Sequence, residues 1–255
     1  MFTAFRNFFL MSTSMSTAAA AKTTSKIASA GSKATSRAVS SPDKVVDAIS
    51  KGILARRFGV GHRLVEADLA NSLNVSRGTV REALKKLAAQ GVVRLSPHRG
   101  ASIRPLSRRE AEHLVVVLEV LCGLAARLAA QNIGLNKARE RFKAAADLLN
   151  DSHSESGPEQ FLANRANYYG VILALADNAE LNRLMPVSQI HLFRSQFQSY
   201  LRPKDIRDMQ KEYIAVSEAI LEGNAAVAET RMRKHMLKTL DRMVAMTEEA
   251  FNQDY

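Results

Sequence analysis

Residues 75–93, VSRGTVREALKKLAAQGVV, carry an apolar stripe and a cationic stripe, both at helical spacing. The apolar stripe predicts the buried face of one helix: Val80, Ala83, Leu84, Leu87 and Ala88. The cations lie four positions apart beside it: Arg77, Arg81 and Lys85. On an isolated helix, such a row of cations is usually only a solvated face. The flanking segments therefore decide whether these cations bind a partner.

Two further helices are predicted ahead of this stretch, over residues 43–58 and about 64–70. Gly59 and Gly61 end the first of them. The segment NSLNV predicts a tight turn before the third helix. Ser76 is predicted to cap that third helix by accepting a backbone N–H.

Beyond Gly91, the predicted end of the third helix, the apolar period changes from helical spacing to alternation. VVRL and ASIR are β-like runs joined by SPHRG, where Pro97 and Gly100 supply turn chemistry. Three helices followed by a hairpin with a basic tip describe a winged helix-turn-helix. The third helix of such a domain lies in the major groove of DNA.

This fold gives the cationic stripe a use. Arg77 and Arg81 lie near the N-terminus of the third helix, where arginine can contact guanine O6 and N7 through two hydrogen bonds. Ser76 and Thr79 are predicted to reach phosphates or bases, and the helix N-terminus itself favours phosphate. Lys85 lies farther along and is predicted to meet the DNA backbone.

The formal charge of +11 is concentrated in the first part of the chain. Residues 1–41 hold five basic and no acidic residues, and residues 42–106 hold twelve basic and five acidic ones. Residues 107–255 are nearly balanced in charge, so a polyanion partner is predicted for residues 42–106 and a different role for the rest of the chain. The wing residues His98 and Arg99 are predicted to enter the minor groove or touch its phosphates.

Residues 1–41 are low in complexity, rich in Ser, Thr and Ala, and free of acidic residues. Their composition resembles an organellar transit peptide, whereas a signal peptide fits poorly because no basic region precedes an apolar one. We favour a disordered basic arm that adds nonspecific DNA affinity. Translation from Met11 or Met15 is a further alternative.

Residues 107–251 predict an all-helical domain, and Ser107 begins a helix with an acidic first turn. The predicted helices cover residues 107–131, 136–150, 158–176, 179–200, 204–222 and 224–251. No strand pattern is present in this part of the sequence. The predicted fold is therefore mainly α, with an antiparallel helical bundle after the winged helix-turn-helix of residues 42–106.

Cys122 is the single cysteine, so no disulfide can form within the chain and a reducing cytoplasm is the expected setting. It lies in an apolar run and is predicted to be a buried hydrophobe rather than a reactive thiol. Glu119 and Arg127 interrupt the best candidate for a membrane span, so no membrane association is predicted.

The run GILARRFGVGHRLVEADLANSLNVSRGTVREALKKLAAQGVVRLSPHRGASI closely resembles the DNA-binding domain of GntR-family bacterial transcriptional regulators. The resemblance implies that Arg77 and Arg81 contact operator bases and that the wing tip, residues 98–100, approaches the minor groove. Gly78 departs from the family, which often has Thr or Ser there. Ala67 departs too, because some relatives carry a DNA-contacting arginine at that position.

Three later segments resemble the FCD domain of the FadR-like branch of this family: EVLCGLAARLAA, YYGVILALADNAEL and EYIAVSEAILEGNAAVAETRMRKHM. The match covers nearly all of residues 107–245. It implies a homodimer, a ligand cavity inside the bundle, and a chemical signal that changes DNA affinity.

Many FCD domains place an Asp and three His around a metal ion. The corresponding positions here hold Arg165, Tyr169, Tyr213 and His235, so only the last ligand is retained. A guanidinium, two phenols and one imidazole make a poor divalent-metal site, and no metal or other cofactor is predicted. We predict that Arg165 pairs with a carboxylate or phosphate of the effector, while the other three side chains add hydrogen bonds. The alternative is that Arg165 faces solvent or a neighbouring helix and both tyrosines are half-buried core.

His191 and Arg194 either line the same cavity or lie on the surface, and Asn164 is a cavity residue if the register moves by one. The chain is predicted to be a cytoplasmic repressor, located at the nucleoid when bound to DNA. It would bind a palindromic operator in double-stranded DNA as a homodimer and respond to a small organic anion. The alternative is an architectural DNA-binding protein without an effector. An enzyme is not predicted, because the sequence shows no nucleophile–base pair, paired carboxylates or phosphate-binding glycine loop.

Overall fold

The computed structural model describes residues 41–96, 100–151 and 158–251 of the 255-residue chain. Of the predicted arm, residues 1–41, the first 40 lie outside the described residues, whereas Ser41 begins the first helix. The first domain contains three helices and three short strands: α1 (Ser41–Leu54), β1 (Arg63–Leu64), α2 (Glu66–Leu73), α3 (Arg77–Ala89), β2 (Val93–Ser96) and β3 (Gly100–Ile103). This is the predicted helix-turn-helix with its β wing.

The sheet is built around β3, which pairs antiparallel with β1 on one side and with β2 on the other. Val93 pairs with Ile103 in the hairpin, as the predicted alternation requires. Strand β1 corrects the sequence prediction, which assigns Leu64 to the second helix. Leu64 is buried and pairs with Ala101 instead, and a strand of two residues is too short for its alternation to be read from sequence.

Helix α1 ends at Leu54 rather than near Phe58. Arg56 adopts a left-handed backbone with φ of 56°, which a helix cannot continue through. The Phe58 backbone N–H then bonds to the Gly52 carbonyl at 3.2 Å, and the Phe58 ring packs against the core. The apolar spacing extends past the helix because Phe58 folds back onto it.

The second domain is a bundle of seven helices among the described residues: α4 (Arg108–Asn132), α5 (Ala138–Asp151), α6 (Pro158–Ala176), α7 (Ala179–Leu184), α8 (Val187–Phe197), α9 (Pro203–Leu221) and α10 (Ala225–Val244). Helix α4 packs against α6, α9 and α10, while α5 packs against α6 and α9. Ser107 caps α4 in a reciprocal arrangement with Glu110, whose carboxylate accepts the Ser107 backbone N–H at 3.0 Å. The prediction of a mainly α chain is confirmed.

Two predicted helices differ from the structure. The helix over 179–200 is divided at Pro186, because proline lacks the N–H that a continuing helix needs and constrains the residue before it. The helix over 224–251 ends at Val244 and is followed by a short 3₁₀ turn, Glu248–Ala250. The division matters for function because α8 then packs against α1 of the first domain.

One helix in the described part of the chain, α4, is long and apolar enough to cross a membrane by length and composition alone. However, 56% of its most apolar window is buried inside the protein. The buried face of α4 includes Cys122 and several alanines, which allow neighbouring helices to approach closely. A single apolar core runs from α1 through α4 to Phe251.

Candidate functional site

The third helix begins as the sequence predicts. Ser76 Oγ accepts a hydrogen bond from the Thr79 backbone N–H at 3.1 Å and lies 2.9 Å from the Thr79 hydroxyl oxygen. Four of the five residues of the predicted apolar stripe are buried: Val80, Ala83, Leu84 and Leu87. Ala88 is half-buried. The cap therefore fixes the first turn of a helix that is anchored by its apolar face.

The cationic stripe of α3 is exposed: Arg77, Arg81 and Lys85. Arg81 is engaged, because its Nε donates to both carboxylate oxygens of Glu66, at 2.8 and 3.0 Å. Among the described residues, Arg77 and Lys85 form no ion pair. Two of the three cations are thus available to a polyanion without breaking an existing contact.

The second strand of the wing, β3, begins at Gly100, whose φ of 82° is a left-handed value that favours glycine. Gly91, with φ of 70°, follows the end of α3 and uses the same freedom. His98 and Arg99 lie outside the described residues, so their groove contacts stay predictions.

Helix α8 connects the two domains through its polar side chains. Ser188 Oγ lies 3.0 Å from Ser50 Oγ on α1, and the His191 ring is hydrogen-bonded to the Ser50 backbone. Gln189 Nε2 donates to the Gln90 carbonyl at the C-terminus of α3, at 2.6 Å. The same helix therefore touches both α1 and the end of the recognition helix.

The linker between the domains is held by two further side chains. The Gln196 side chain of α8 accepts from the Leu106 N–H at 2.8 Å and donates to the Leu106 carbonyl at 3.0 Å. Arg104 donates to the Gly91 carbonyl and pairs with Glu110 in the first turn of α4. These contacts fix the first domain to the bundle over the described residues.

The four predicted ligand-binding residues lie together, and a fifth residue joins them. We call this group the sensor cluster: Arg165 and Tyr169 on α6, Arg194 on α8, Tyr213 on α9 and His235 on α10. Every member is buried, and Arg165 is only 6% exposed, so the alternative in which it faces solvent is wrong.

Ring and cation contacts link the members of the sensor cluster. The Tyr213 ring centroid lies 4.6 Å from that of His235 and 6.3 Å from that of Tyr169. The Arg194 guanidinium carbon lies 4.6 Å from the Tyr169 ring centroid, and that of Arg165 lies 5.9 Å from the Tyr213 centroid. These are cation–π distances, so aromatic faces stabilise both guanidinium groups.

His235 is held by Glu212, whose Oε2 lies 2.8 Å from His235 Nδ1. Burial opposes ionisation of Glu212, but the hydrogen bonds and charges of His235 and Arg242 outweigh it and lower its pKa to about 2. Burial lowers the pKa of His235, with Arg165 and Arg242 acting in the same direction and Glu212 opposing them. Because a carboxylate only accepts, His235 Nδ1 donates to Glu212 whether or not Nε2 also carries a proton.

Four buried polar atoms of the sensor cluster have no hydrogen-bond partner within the described part of the chain: Arg165 Nε, the Tyr169 and Tyr213 hydroxyls, and His235 Nε2. Buried polar groups are normally paired, since each unmade bond costs about 1–3 kcal/mol. Burial lowers the pKa of Arg194 to about 10, and the charge of Arg165 acts in the same direction, so Arg194 stays cationic at neutral pH. Among the described residues no carboxylate forms an ion pair with either arginine.

A divalent metal does not fit the sensor cluster. In the described ranges no group of three or more His, Cys, Asp or Glu side chains is placed to hold an ion. Arg165 is a cation in the position of a carboxylate ligand, and burial raises the pKa of the Tyr169 phenol well above its ordinary value. The predicted absence of a metal cofactor itself remains a prediction.

The other sequence candidates take separate positions. Burial lowers the pKa of His191 to about 4, with Arg194 acting in the same direction, and His191 faces α1 rather than solvent. The Asn164 amide donates to the Leu148 carbonyl at 2.9 Å, which places it against α5. Burial raises the pKa of the Cys122 thiol to about 12, as expected of an unreactive buried cysteine.

An exposed cationic recognition helix, a β wing and a helical domain with a buried polar cluster define a class: a winged-helix DNA-binding regulator with a separate sensor domain. Family profiles match both parts of the chain. Residues 42–103 match "Bacterial regulatory proteins, gntR family", and residues 113–238 match "FCD domain". The chain therefore has a GntR-family DNA-binding domain followed by an FCD domain.

Curated relatives are similar over parts of the chain. A probable D-xylose utilization operon transcriptional repressor of Paenarthrobacter nicotinovorans is 29% identical over 140 residues, covering 55% of this chain and 61% of the relative. The uncharacterized HTH-type transcriptional regulator BphR of Paraburkholderia xenovorans is 24% identical, covering 72% of this chain and 77% of the relative. The chain thus spans about three fifths of the length of the first of these.

Solved structures share the fold. E. coli McbR/YncC superposes with a TM-score of 0.68 at 16% identity, covering 81% of this chain and 98% of that one. A putative GntR transcriptional regulator from Rhodococcus sp. RHA1 gives 0.61 at 20% identity, covering 80% and 97%. At these identities the likeness concerns the fold alone.

Proposed function

We propose that this regulator binds a palindromic operator as a homodimer, represses transcription, and is released from DNA by a small organic anion that binds the sensor cluster. The protein would act in the bacterial cytoplasm. The first curated relative carries the word repressor in its name, which supports the direction of control. Membership of the FadR-like branch stays a prediction.

The proposal that the effector is an anion rests on two buried arginines, Arg165 and Arg194. A buried guanidinium without a carboxylate partner is costly, and a bound anion would remove that cost through charge-assisted hydrogen bonds. The two tyrosine hydroxyls supply further donors beside them. A carboxylate or phosphate is the chemistry that complements this set.

The same helix that carries Arg194 also supports a route to DNA. His191 and Ser188 contact α1 one and two turns before Arg194, and Gln189 contacts the end of α3. An anion that pulls on Arg194 would displace α8 and with it the recognition helix. Such a ligand shifts operator affinity only by its difference in affinity for the two arrangements.

An apolar surface on α4 supports the homodimer. Val116, Val117 and Val120 are 51–54% exposed on the longest helix of the bundle, although their neighbours on the other face form the core. Adjacent exposed valines are unusual on a monomer surface and suit an interface between two copies. A two-fold dimer would present two recognition helices to a palindromic site.

The test combines three measurements on the purified full chain without a histidine tag. Selection from a random duplex library defines the operator and should return a palindrome. A panel of small carboxylates and phosphate esters is then screened for release of the protein from that DNA, and elemental mass spectrometry measures bound metal. We expect release by at least one anion and no stoichiometric metal. One zinc, nickel or manganese per chain would contradict the metal-free site, and weak selection without any responsive anion would favour an architectural DNA-binding protein.

A further inference from the structure

The contact between Glu66 and Arg81 spans the helix-turn-helix. Glu66 is the first residue of α2, and Arg81 lies one turn into α3. Among the described residues no hydrogen bond joins the Glu66 carboxylate to the N-terminus of its own helix, whose N-cap, Val65, makes no side-chain cap bond. The carboxylate is directed at the recognition helix instead.

The geometry leaves a defined part of Arg81 free. Both carboxylate oxygens lie within hydrogen-bond distance of Nε, at 2.8 and 3.0 Å. The two terminal nitrogens carry the other four N–H donors, and among the described residues they have no partner. A guanine edge requires two donors side by side, which this terminal pair provides.

The two arginines of the stripe differ in this respect. Arg77 has no carboxylate partner in the described ranges, whereas Arg81 is 66% exposed at its side chain and still held at its base by Glu66. An exposed arginine otherwise samples many rotamers, and it loses that freedom when it contacts DNA. A carboxylate that restricts Arg81 beforehand lowers the entropic cost of the contact.

We propose that Glu66 is a positioning residue for operator recognition: it holds Arg81 through Nε so that the two terminal nitrogens of Arg81 face a guanine. The proposal rests on the proposed function, in which Arg81 reads a base. Glu66 itself is negatively charged and contributes no attraction to DNA. Its effect is on sequence discrimination rather than on general affinity.

The test uses the DNA selected by the wild-type full chain and a scrambled duplex of equal length. Affinity for each is measured for the wild type, Glu66→Gln and Asp68→Asn. Asp68 is exposed in the same first turn of α2 and has no ion-pair partner among the described residues, so it controls for loss of one negative charge. We expect Glu66→Gln to lower the ratio of selected to scrambled affinity about tenfold, while Asp68→Asn leaves the ratio unchanged. Affinity for the scrambled duplex should rise slightly in both variants.

A double-mutant cycle separates positioning from a general structural effect. In the Arg81→Ala background, Glu66→Gln should no longer change the ratio, and the melting temperatures of the single variants should match that of the wild type. An unchanged or increased ratio for Glu66→Gln would overturn the proposal, and an increase would show that Glu66 withholds Arg81 from DNA. If the wild type selects no sequence at all, the proposed function fails before the role of Glu66 is reached.

Discussion

Arginine occupies two contrasting environments in this protein. On α3, Arg77 and Arg81 project into solvent, where a charge keeps its hydration and an exposed row of cations suits a polyanion. In the bundle, Arg165 and Arg194 are buried among aromatic rings without a carboxylate partner in the described residues. The first pair is compatible with stability in the absence of any ligand. The second pair lowers stability unless a ligand compensates the charge, which is why the buried pair points to a small anion.

A third arginine, the half-buried Arg242, adds to the contrast. Arg242 pairs with Glu212, as does Lys238 at 3.1 Å, and the His235 ring completes the surroundings of that carboxylate. The charge of Arg165 also acts on His235, but among the described residues Arg165 has no such carboxylate partner. Two arginines near one histidine therefore differ: Arg242 is paired with a carboxylate, whereas Arg165 is the one that we propose binds the ligand.

The largest expected effect tests this difference. Arg242→Met removes one partner of a buried carboxylate and should lower the free energy of unfolding by about 3 kcal/mol. Arg165→Met removes an unpaired buried charge and should leave the ligand-free protein equally stable or more stable by about 1 kcal/mol. Urea unfolding of the two variants beside the wild type measures both. The opposite signs are the essential result, and equal destabilisation by both variants would show that Arg165 is an ordinary structural residue.

The same pair of variants also separates ligand binding from stability. An anion that raises the melting temperature of the wild type should not raise that of Arg165→Met, but should still raise that of Arg242→Met. Retained stabilisation of Arg165→Met would place the anion elsewhere in the protein.

Sequence reasoning succeeded where periodicity or capping dictates the structure. The apolar stripe of α3, its Ser76 cap and the hairpin all follow from local patterns that the structure reproduces. Four positions of the sensor cluster were predicted by matching the sequence to the metal-ligand positions of FCD domains: Arg165, Tyr169, Tyr213 and His235. The structure brings these four side chains together.

The elements that sequence could not supply depend on tertiary contacts. The sequence left Arg194 open between the cavity and the surface, and only the packing of α8 places it in the sensor cluster. Glu66 and Arg81 are 15 positions apart, so their ion pair requires the turn between α2 and α3. Strand β1 has only two residues and is a strand only because it pairs with β3. Pro186 was the one visible signal for the division between α7 and α8.

The role of the exposed arginines of α3 in reading DNA is tested by Arg77→Ala. We expect the affinity for the selected operator to fall about 30-fold, or about 2 kcal/mol, because a bidentate guanine contact is lost. Affinity for scrambled DNA should fall much less, since Lys85 and the rest of the stripe remain. Fluorescence anisotropy on both duplexes measures the ratio. An equal loss on both would assign Arg77 to a phosphate rather than a base.

Among the buried groups, His191 makes the stability of the protein depend on pH. Its folded-state pKa of about 4 lies below the ordinary value, so between about pH 6.5 and 4 the unfolded chain binds a proton that the folded chain does not. Stability should therefore fall as the pH is lowered, by about 2 kcal/mol from pH 7 to 5 through His191, and the lowered pKa of His235 acts in the same direction. Glu212, with a pKa of about 2, loses its contribution only below about pH 4.5. His191→Gln should be less sensitive over pH 7 to 5 in urea unfolding, and an unchanged slope would mean that His191 is protonated in the folded protein.

The smallest expected effect concerns two glycines, one on an exposed helix surface and one in a buried helix. A methyl group at Gly78, in the exposed first turn of α3, would meet only Ser76 Oγ at 3.6 Å, an ordinary contact. Gly78→Ala should therefore stabilise the protein by about 0.5 kcal/mol, because alanine loses less backbone freedom in a helix. Gly52 is the matched control: it lies buried in α1, and a methyl group there would overlap the Phe58 ring, so Gly52→Ala should destabilise the protein instead. Thermal unfolding measures the stability of both variants. A loss of stability in Gly78→Ala would show that the backbone in the first turn of α3 requires glycine.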